Sequence, residues 1–171
     1  AGSYEDFFRA VMADDASTVT ALVKRGFDPN TRDPKGQHAL SIALREEPSL
    51  KVAAALLALP KIEVEARNAA DESPLMLAAL RGHIDIAKAL ISKDADVNKT
   101  GWTPLHYAAT GGHVAIIRLL LENHAFIDAE SPNKTTPLMM AAHYGTSAAV
   151  KLLLEEGADP GVEPVAPYDW H

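Results

Sequence analysis

The chain has 171 residues, 47% of them hydrophobic and 23% charged, a composition in the range of a single globular domain. It contains no cysteine, which excludes disulfides, thiolate zinc sites and cysteine nucleophiles, and its net charge of −7 argues against nucleic acid, whose backbone is also anionic. The longest uninterrupted apolar run, residues 52–59, is far shorter than the roughly 20 residues of a transmembrane helix, so no membrane span is expected.

The first predicted element is a pair of helices between Tyr4 and Asn30. Apolar residues recur there at three- and four-residue spacings, as in helices that are buried on one side. They are Phe7, Ala10, Val11, Val19, Leu22 and Val23. Glu5 and Asp6 suit the positive end of the first helix, and Gly26 is expected to end the second in the left-handed region.

A second helix pair is predicted after a segment rich in turn formers, residues 29–37. Prolines make this pair irregular. Pro48 prevents its first helix from continuing, and Pro60 stands where glycine would end its second helix. The adjacent Glu46 and Glu47 point in different directions on any helix, so they are interpreted as solvated side chains and not as an acid/base pair.

Three further helix pairs open with nearly the same motif, Ser73-Pro74-Leu75, Thr103-Pro104-Leu105 and Thr136-Pro137-Leu138. The hydroxyl oxygen can cap the first amides of a helix, and proline suits the first helical position, so a helix is predicted to begin at each motif. Asp94 and His124 stand where the second helices of two pairs should turn into the left-handed region.

The five helix pairs are copies of one repeat. Their corresponding residues Phe7, Leu40, Leu75, Leu105 and Leu138 lie 33, 35, 30 and 33 residues apart by subtraction. A period near 33 with the motif T-P-L-H-x-A is the signature of ankyrin repeats, and the chain resembles an ankyrin-repeat protein. The resemblance implies an all-α fold, a solenoid of paired antiparallel helices joined by β-hairpin-like fingers.

The whole chain, residues 1–171, is interpreted as one ankyrin-repeat domain. Its repeats are predicted at about 4–33, 34–68, 69–99, 100–132 and 133–160, followed by a tail at 161–171. The finger at 98–102 is three residues shorter than the others, and we expect this truncation to leave Trp102 more accessible. The tail is expected to begin as half a finger and then either cover the last helix or fray.

The histidines are the only candidates for metal chemistry, and their spacing does not favour a site. No His-x-x-x-His pair is present. The resemblance implies structural roles instead: His106 bonds to the threonine of its motif and to the neighbouring repeat, while His83 and His113 tie loops together. Phosphate-binding loops and the nucleophile-elbow motif are also missing. No metal, no cofactor and no enzymatic activity are therefore expected.

The resemblance implies a protein-binding module that uses its concave face, formed by fingers and first helices, on a pre-organised scaffold. The residues at the family's contact positions are Tyr4, Met12, Gln37, Arg45, Glu72, Leu80, Arg81, Trp102, Thr110, Thr135, His143 and Tyr144. The partner is a protein whose identity the sequence does not give, and the chain is expected to be a monomer. An inhibitor or immunity protein, or an accessory factor of an enzyme such as an oxidative-stress protein, is the alternative. An engineered binder is disfavoured because the repeats vary in motif and spacing.

The start Ala1-Gly2-Ser3 is compatible with two origins, the remnant of a cleaved tag or the product of signal-peptide removal. The residues from Ser3 resemble the start of bacterial exported ankyrin proteins. This resemblance favours a periplasmic or secreted protein, with a cytoplasmic location as the alternative.

Overall fold

The computed structural model describes residues 2–161, and the part of the tail at 162–171 lies outside the described residues. The described chain folds into ten α-helices, which form five consecutive pairs. They are α1 (Ser3–Met12), α2 (Ala16–Lys24), α3 (Ala39–Ala43), α4 (Leu50–Leu57), α5 (Pro74–Arg81), α6 (Ile84–Ser92), α7 (Pro104–Gly111), α8 (Val114–Glu122), α9 (Pro137–Tyr144) and α10 (Ser147–Glu155). No residue from 2 to 161 lies in a β-strand.

The Ser/Thr-Pro motifs begin helices, as the sequence predicts. Thr103 is the N-cap of α7 and accepts a hydrogen bond from the backbone N–H of His106 at 3.3 Å, within a capping box. Thr136 Oγ1 accepts from the amide of Met139 at 3.3 Å at the start of α9, and Ser73 Oγ accepts from the amide of Met76 at 3.2 Å. Each proline occupies the first helical position, where its missing N–H costs no hydrogen bond.

The second helices end as predicted where the sequence places a residue of positive φ. Gly26 has φ 103°, Asp94 65° and His124 71°. Pro60 replaces such a residue after α4. The second pair is also irregular at its first helix, since α3 has only five residues and ends before Pro48.

The fingers are tight turns in this structure. Backbone hydrogen bonds close three of them, from Asp33 N to Gln37 O at 3.0 Å, from Asn68 N to Glu72 O at 3.1 Å and from Ser131 N to Thr135 O at 2.9 Å. Each turn has a residue of positive φ near its tip, namely Gly36, Asp71 and Lys134. Because no strand is present among residues 2–161, the turn part of the predicted hairpin is observed and its strand pairing is not.

The described chain divides into two compact units, residues 2–77 with 85–95 and residues 78–84 with 96–161. The core of the first unit contains Phe7, which is fully buried and stacks on Phe27 with ring centroids 4.6 Å apart. Asp14 joins the first two helix pairs, because its Oδ1 accepts from Val52 N at 2.9 Å. This bond caps α4, whose own N-cap Ser49 makes no side-chain cap.

The core of the second unit is filled by large aliphatic side chains, each contributing roughly 1.5–3 kcal/mol when fully buried. They include Leu105, Ile116, Ile117, Leu120 and Leu153. Close approach of neighbouring first helices requires glycine at two positions. A Cβ atom at Gly111 would lie 2.5 Å from Leu80 O, and one at Gly145 would lie 2.3 Å from Ala109 O.

Candidate interaction surface

A buried histidine holds the framework of the second unit. His106 is fully buried, and its Nδ1 accepts from the backbone N–H of Thr103 at 3.1 Å. Its Nε2 therefore carries the hydrogen and donates to Thr135 O, 2.8 Å away on the next finger. Burial, more than any other cause, lowers the pKa of His106 to about 4. The role that the resemblance implied for His106 is confirmed.

A second buried histidine, His38, holds the first unit in a similar way. Its Nδ1 accepts from Leu40 N at 3.0 Å, and its Nε2 lies 2.9 Å from Asn30 Oδ1. Asn30 in turn donates from Nδ2 to Lys61 O at 2.9 Å, so one network connects the first two helix pairs. Burial, with a smaller effect of the Arg32 charge, lowers the pKa of His38 to about 4.

The two histidines between helices differ from each other. His113 Nε2 lies 2.9 Å from Leu80 O and ties the loop after α7 to the preceding pair, as expected. His83 does not tie a loop through its Nε2, which is buried and has no hydrogen-bond partner among the described residues. Burial lowers the pKa of His83, and the charges of Arg81 and His113 lower it further. The expectation that both histidines act alike is therefore wrong for His83.

Three of the candidate residues in the first unit are open to solvent. Tyr4 is 38% exposed and Met12 is 55% exposed, while Gln37 is exposed on its finger. The Tyr4 hydroxyl also donates to Arg32 O at 3.1 Å. Their backbones belong to helix α1 or to a closed turn, so these side chains project from fixed positions.

Arg45 and Glu72 are half-buried and occupied within the fold. The Arg45 guanidinium donates to Met12 O at 3.0 Å, to Ile42 O at 2.9 Å and to Ser49 Oγ at 3.1 Å. Glu72 Oε1 accepts from Asn68 Nδ2 at 2.8 Å inside its finger. Both side chains stabilise loops, and their contact with a partner stays a prediction.

In the second unit, the candidates at the C-terminal ends of first helices are mostly exposed. Arg81 is exposed, and the described residues give it no hydrogen bond or ion pair. His143 and Tyr144 are also exposed, and their rings meet edge to face with centroids 4.4 Å apart. Leu80 is half-buried.

Burial corrects two expectations in the same unit. Thr110 and Thr135 are each only 8% exposed. The Thr110 hydroxyl donates to His106 O at 2.8 Å, and the Thr135 carbonyl receives the His106 ring, so both residues belong to the framework. Trp102 is half-buried, and its indole packs edge to face on His106 with centroids 5.2 Å apart. The effect of the shortened finger on this indole stays a prediction.

Sequence reasoning missed Phe126, which is 67% exposed after the end of α8. The corresponding position in the other four helix pairs carries an acidic residue, Asp28, Glu63, Asp96 or Asp159. The backbone is conventional there, since Phe126 N donates to Asn98 Oδ1 at 2.9 Å. An aromatic residue at a position that is otherwise acidic is the signal that could have identified it.

Residues 2–161 form neither a metal site nor a membrane-spanning helix. Across residues 2–161, no three His, Asp or Glu side chains come close enough together to hold a metal ion. None of the helices in that part of the chain has the length and apolar character needed to cross a membrane.

The repeat period, the Ser/Thr-Pro helix starts and the five consecutive helix pairs define a repeat protein, and sequence comparison identifies its family. A family model described as ankyrin repeats (3 copies) matches residues 7–100 and again 95–163. The chain belongs to the ankyrin-repeat family.

Several ankyrin-containing proteins of animals are similar to this chain. The nuclear factor NF-kappa-B p105 subunit of Gallus gallus is 32% identical over 165 residues, which cover 92% of this chain and 17% of that protein. Alpha-latrocrustotoxin-Lt1a of Latrodectus tredecimguttatus is 32% identical over 126 residues, or 74% of this chain and 9% of the toxin. The NF-kappa-B inhibitor cactus of Drosophila melanogaster is 33% identical over 113 residues, or 63% of this chain and 23% of that protein.

The chain spans less than a quarter of the length of each of these relatives. The likeness therefore concerns the repeat domain and not the remainder of the larger proteins. The family is in general a non-catalytic protein-interaction module, and these relatives indicate a module of that kind.

Proposed function

We propose that this chain binds a protein partner through its fingers and first helices and catalyses no reaction. The proposal rests on one observation, the projection of exposed side chains such as Met12, Arg81 and Tyr144 from first helices and their ends. The helices that hold them are fixed by buried residues, so docking would cost little additional ordering entropy. Aromatic residues, methionine and arginine are also enriched at protein interfaces.

The second helices are less suited to binding. They use their apolar residues in the core and leave separated charges outside, including Lys88 and Arg118, while Lys151 pairs with Glu155 on its own helix at 3.8 Å. Isolated exposed charges contribute little to affinity compared with aromatic anchors. This contrast gives a matched set of test and control positions within one chain.

The experiment begins with capture of partners from a native extract, identified by cross-linking mass spectrometry. Affinity for the captured partner is then measured by calorimetry. Met12→Ala and Tyr144→Ala are each expected to weaken binding about 10-fold, or roughly 1.4 kcal/mol. Lys88→Ala and Arg118→Ala are the controls and should have little effect. If the controls weaken binding and the test variants do not, the proposed surface is wrong.

An inhibitor is the second candidate function, favoured by the likeness to the NF-kappa-B inhibitor cactus. If the captured partner has an enzymatic or binding activity, titration with this protein should abolish it at one equivalent. An accessory factor would leave that activity unchanged or raise it. The same assay therefore separates inhibition from support.

Repeat number, oligomeric state and location complete the proposal. Five helix pairs support a count of five repeats. A monomer is proposed, which light scattering tests directly. The likeness to bacterial exported proteins and the periplasmic or secreted location stay predictions, and fractionation of the native source would test them.

A further inference from the structure

Charge is unevenly distributed in the second compact unit, although the whole chain carries −7. The acidic residues described in this unit lie at the ends of second helices or in the segments that follow them. They are Asp96, Glu122, Asp128, Glu130, Glu155, Glu156 and Asp159. The stretches 97–121 and 131–154, which hold its other fingers and first helices, contain no Asp or Glu.

The loops after α5, α7 and α9 lie side by side in this unit. His113 Nε2 is 2.9 Å from Leu80 O, which fixes the loop after α7 against the end of α5. On the other side, Gly145 sits so close to Ala109 O that a Cβ atom would be 2.3 Å from it. Because these contacts are so close, neighbouring loops have fixed positions relative to one another.

The last residues of α5, α7 and α9, where these loops begin, are Arg81, Gly111 and Tyr144. We call these three residues the loop row. Its centre carries no projecting side chain, and the space above Gly111 is already filled, because a Cβ atom there would lie 2.5 Å from both the His113 ring and Leu80 O. The exposed Arg81 and the 37% exposed Tyr144 therefore stand on either side of a closed centre. The buried Thr110 precedes Gly111 and adds nothing that projects there.

Arg81 is exposed at the end of α5, and it forms no ion pair with any residue that the structure describes. At physiological ionic strength, charges more than about 8 Å away are largely screened, so the charge of Arg81 itself, and not the net charge of the chain, decides what pairs with it. A carboxylate of a partner would give Arg81 a bidentate ion pair that the fold does not supply.

We propose that the loop row receives an acidic protein segment, with a carboxylate paired to Arg81 and an apolar side chain packed on Tyr144 across Gly111. This inference rests on the proposed function and specifies the chemistry of the partner. A nucleic acid also offers anions, but the loop row contains one arginine, and the chain has a net charge of −7. One positive charge does not bind an extended phosphate backbone. A protein segment needs only one or two carboxylates beside an apolar anchor.

The test uses random peptides displayed on phage and selected on the full chain. Enriched sequences are expected to carry Asp or Glu near an aromatic or aliphatic residue. Synthetic versions of these peptides should lose about 10-fold in affinity to the Arg81→Glu or Arg81→Gln variant, and binding should weaken with added salt. Arg118→Glu, an exposed arginine on α8 of the same unit, is the matched control and should stay within about 2-fold of wild type.

A charge-reversal experiment sharpens the assignment. Replacing the peptide carboxylate by lysine should abolish binding to wild type and restore it to the Arg81→Glu variant. Circular dichroism and melting of each variant confirm that the fold is retained, and Arg81→Gln preserves the test if the reversal destabilises α5.

Several results would overturn the inference. These are selection of basic or neutral peptides, equal losses for the Arg81→Glu and Arg118→Glu variants, no selected peptide at all, or Arg81-dependent binding of polyuridylic acid in place of peptides. Failure of the proposed function would look different, because the captured partner would then bind independently of Tyr144. A partner that depends on Tyr144 but not on Arg81 would retain the function and refute the acidic segment.

Discussion

Acid should destabilise this protein well above the pH at which carboxylates titrate, because His38 and His106 are buried as neutral rings. Both have a pKa lowered from 6.5 to about 4. The unfolded chain binds protons at these sites at a higher pH than the folded chain. Their contribution to stability is therefore full above pH 6.5 and is lost as the pH falls from 6.5 towards 4.

The magnitude follows from linkage. Between pH 7 and pH 5, protonation stabilises the unfolded form of each histidine by roughly 2 kcal/mol, while the folded form takes up almost no proton. The two sites together should remove roughly 4 kcal/mol of the free energy of unfolding, a large part of the 5–15 kcal/mol typical of a domain. The lowered pKa of His83 acts in the same direction.

Urea unfolding followed by circular dichroism at pH 7 and pH 5 measures this loss directly. His106→Gln serves as the control, since glutamine cannot titrate and should remove about half of the pH dependence, whatever its cost at pH 7. A free energy of unfolding that is the same at both pH values would refute the reasoning. So would an unchanged pH dependence in the His106→Gln variant.

Three further predictions concern the framework. Gly145→Ala should destabilise the fold by about 2 kcal/mol or more, because the new methyl group meets Ala109 O at 2.3 Å; thermal melting measures this, and an unchanged midpoint would contradict it. Asp14→Ala should cost about 1 kcal/mol through the lost cap on α4, measured by urea unfolding with Asp14→Asn as a partial rescue. Hydrogen exchange should be faster at 51–59 than at 116–121, because prolines flank the first segment; the opposite order would show that the irregular second pair is not the weak point.

The sequence by itself determined the helices and their boundaries. Thr103-Pro104 and its equivalents begin helices because a capping oxygen and a fixed φ act within one turn of chain. Gly26, Asp94 and His124 end helices because their own backbones tolerate positive φ. The repeat period followed from counting residues, and with it the family.

Only the tertiary structure decided which side chains are available to a partner. Arg45 and Thr135 occupy contact positions by sequence, yet the Arg45 side chain bonds Met12 O on the preceding helix pair, and Thr135 is buried where its carbonyl receives the His106 ring of the preceding helix. His83 and His113 follow the same local pattern, but only His113 finds a carbonyl oxygen in reach of its Nε2. Whether a side chain can contact a partner depends on atoms that packing between repeats brings close to it. The repeat motif does not encode those distances.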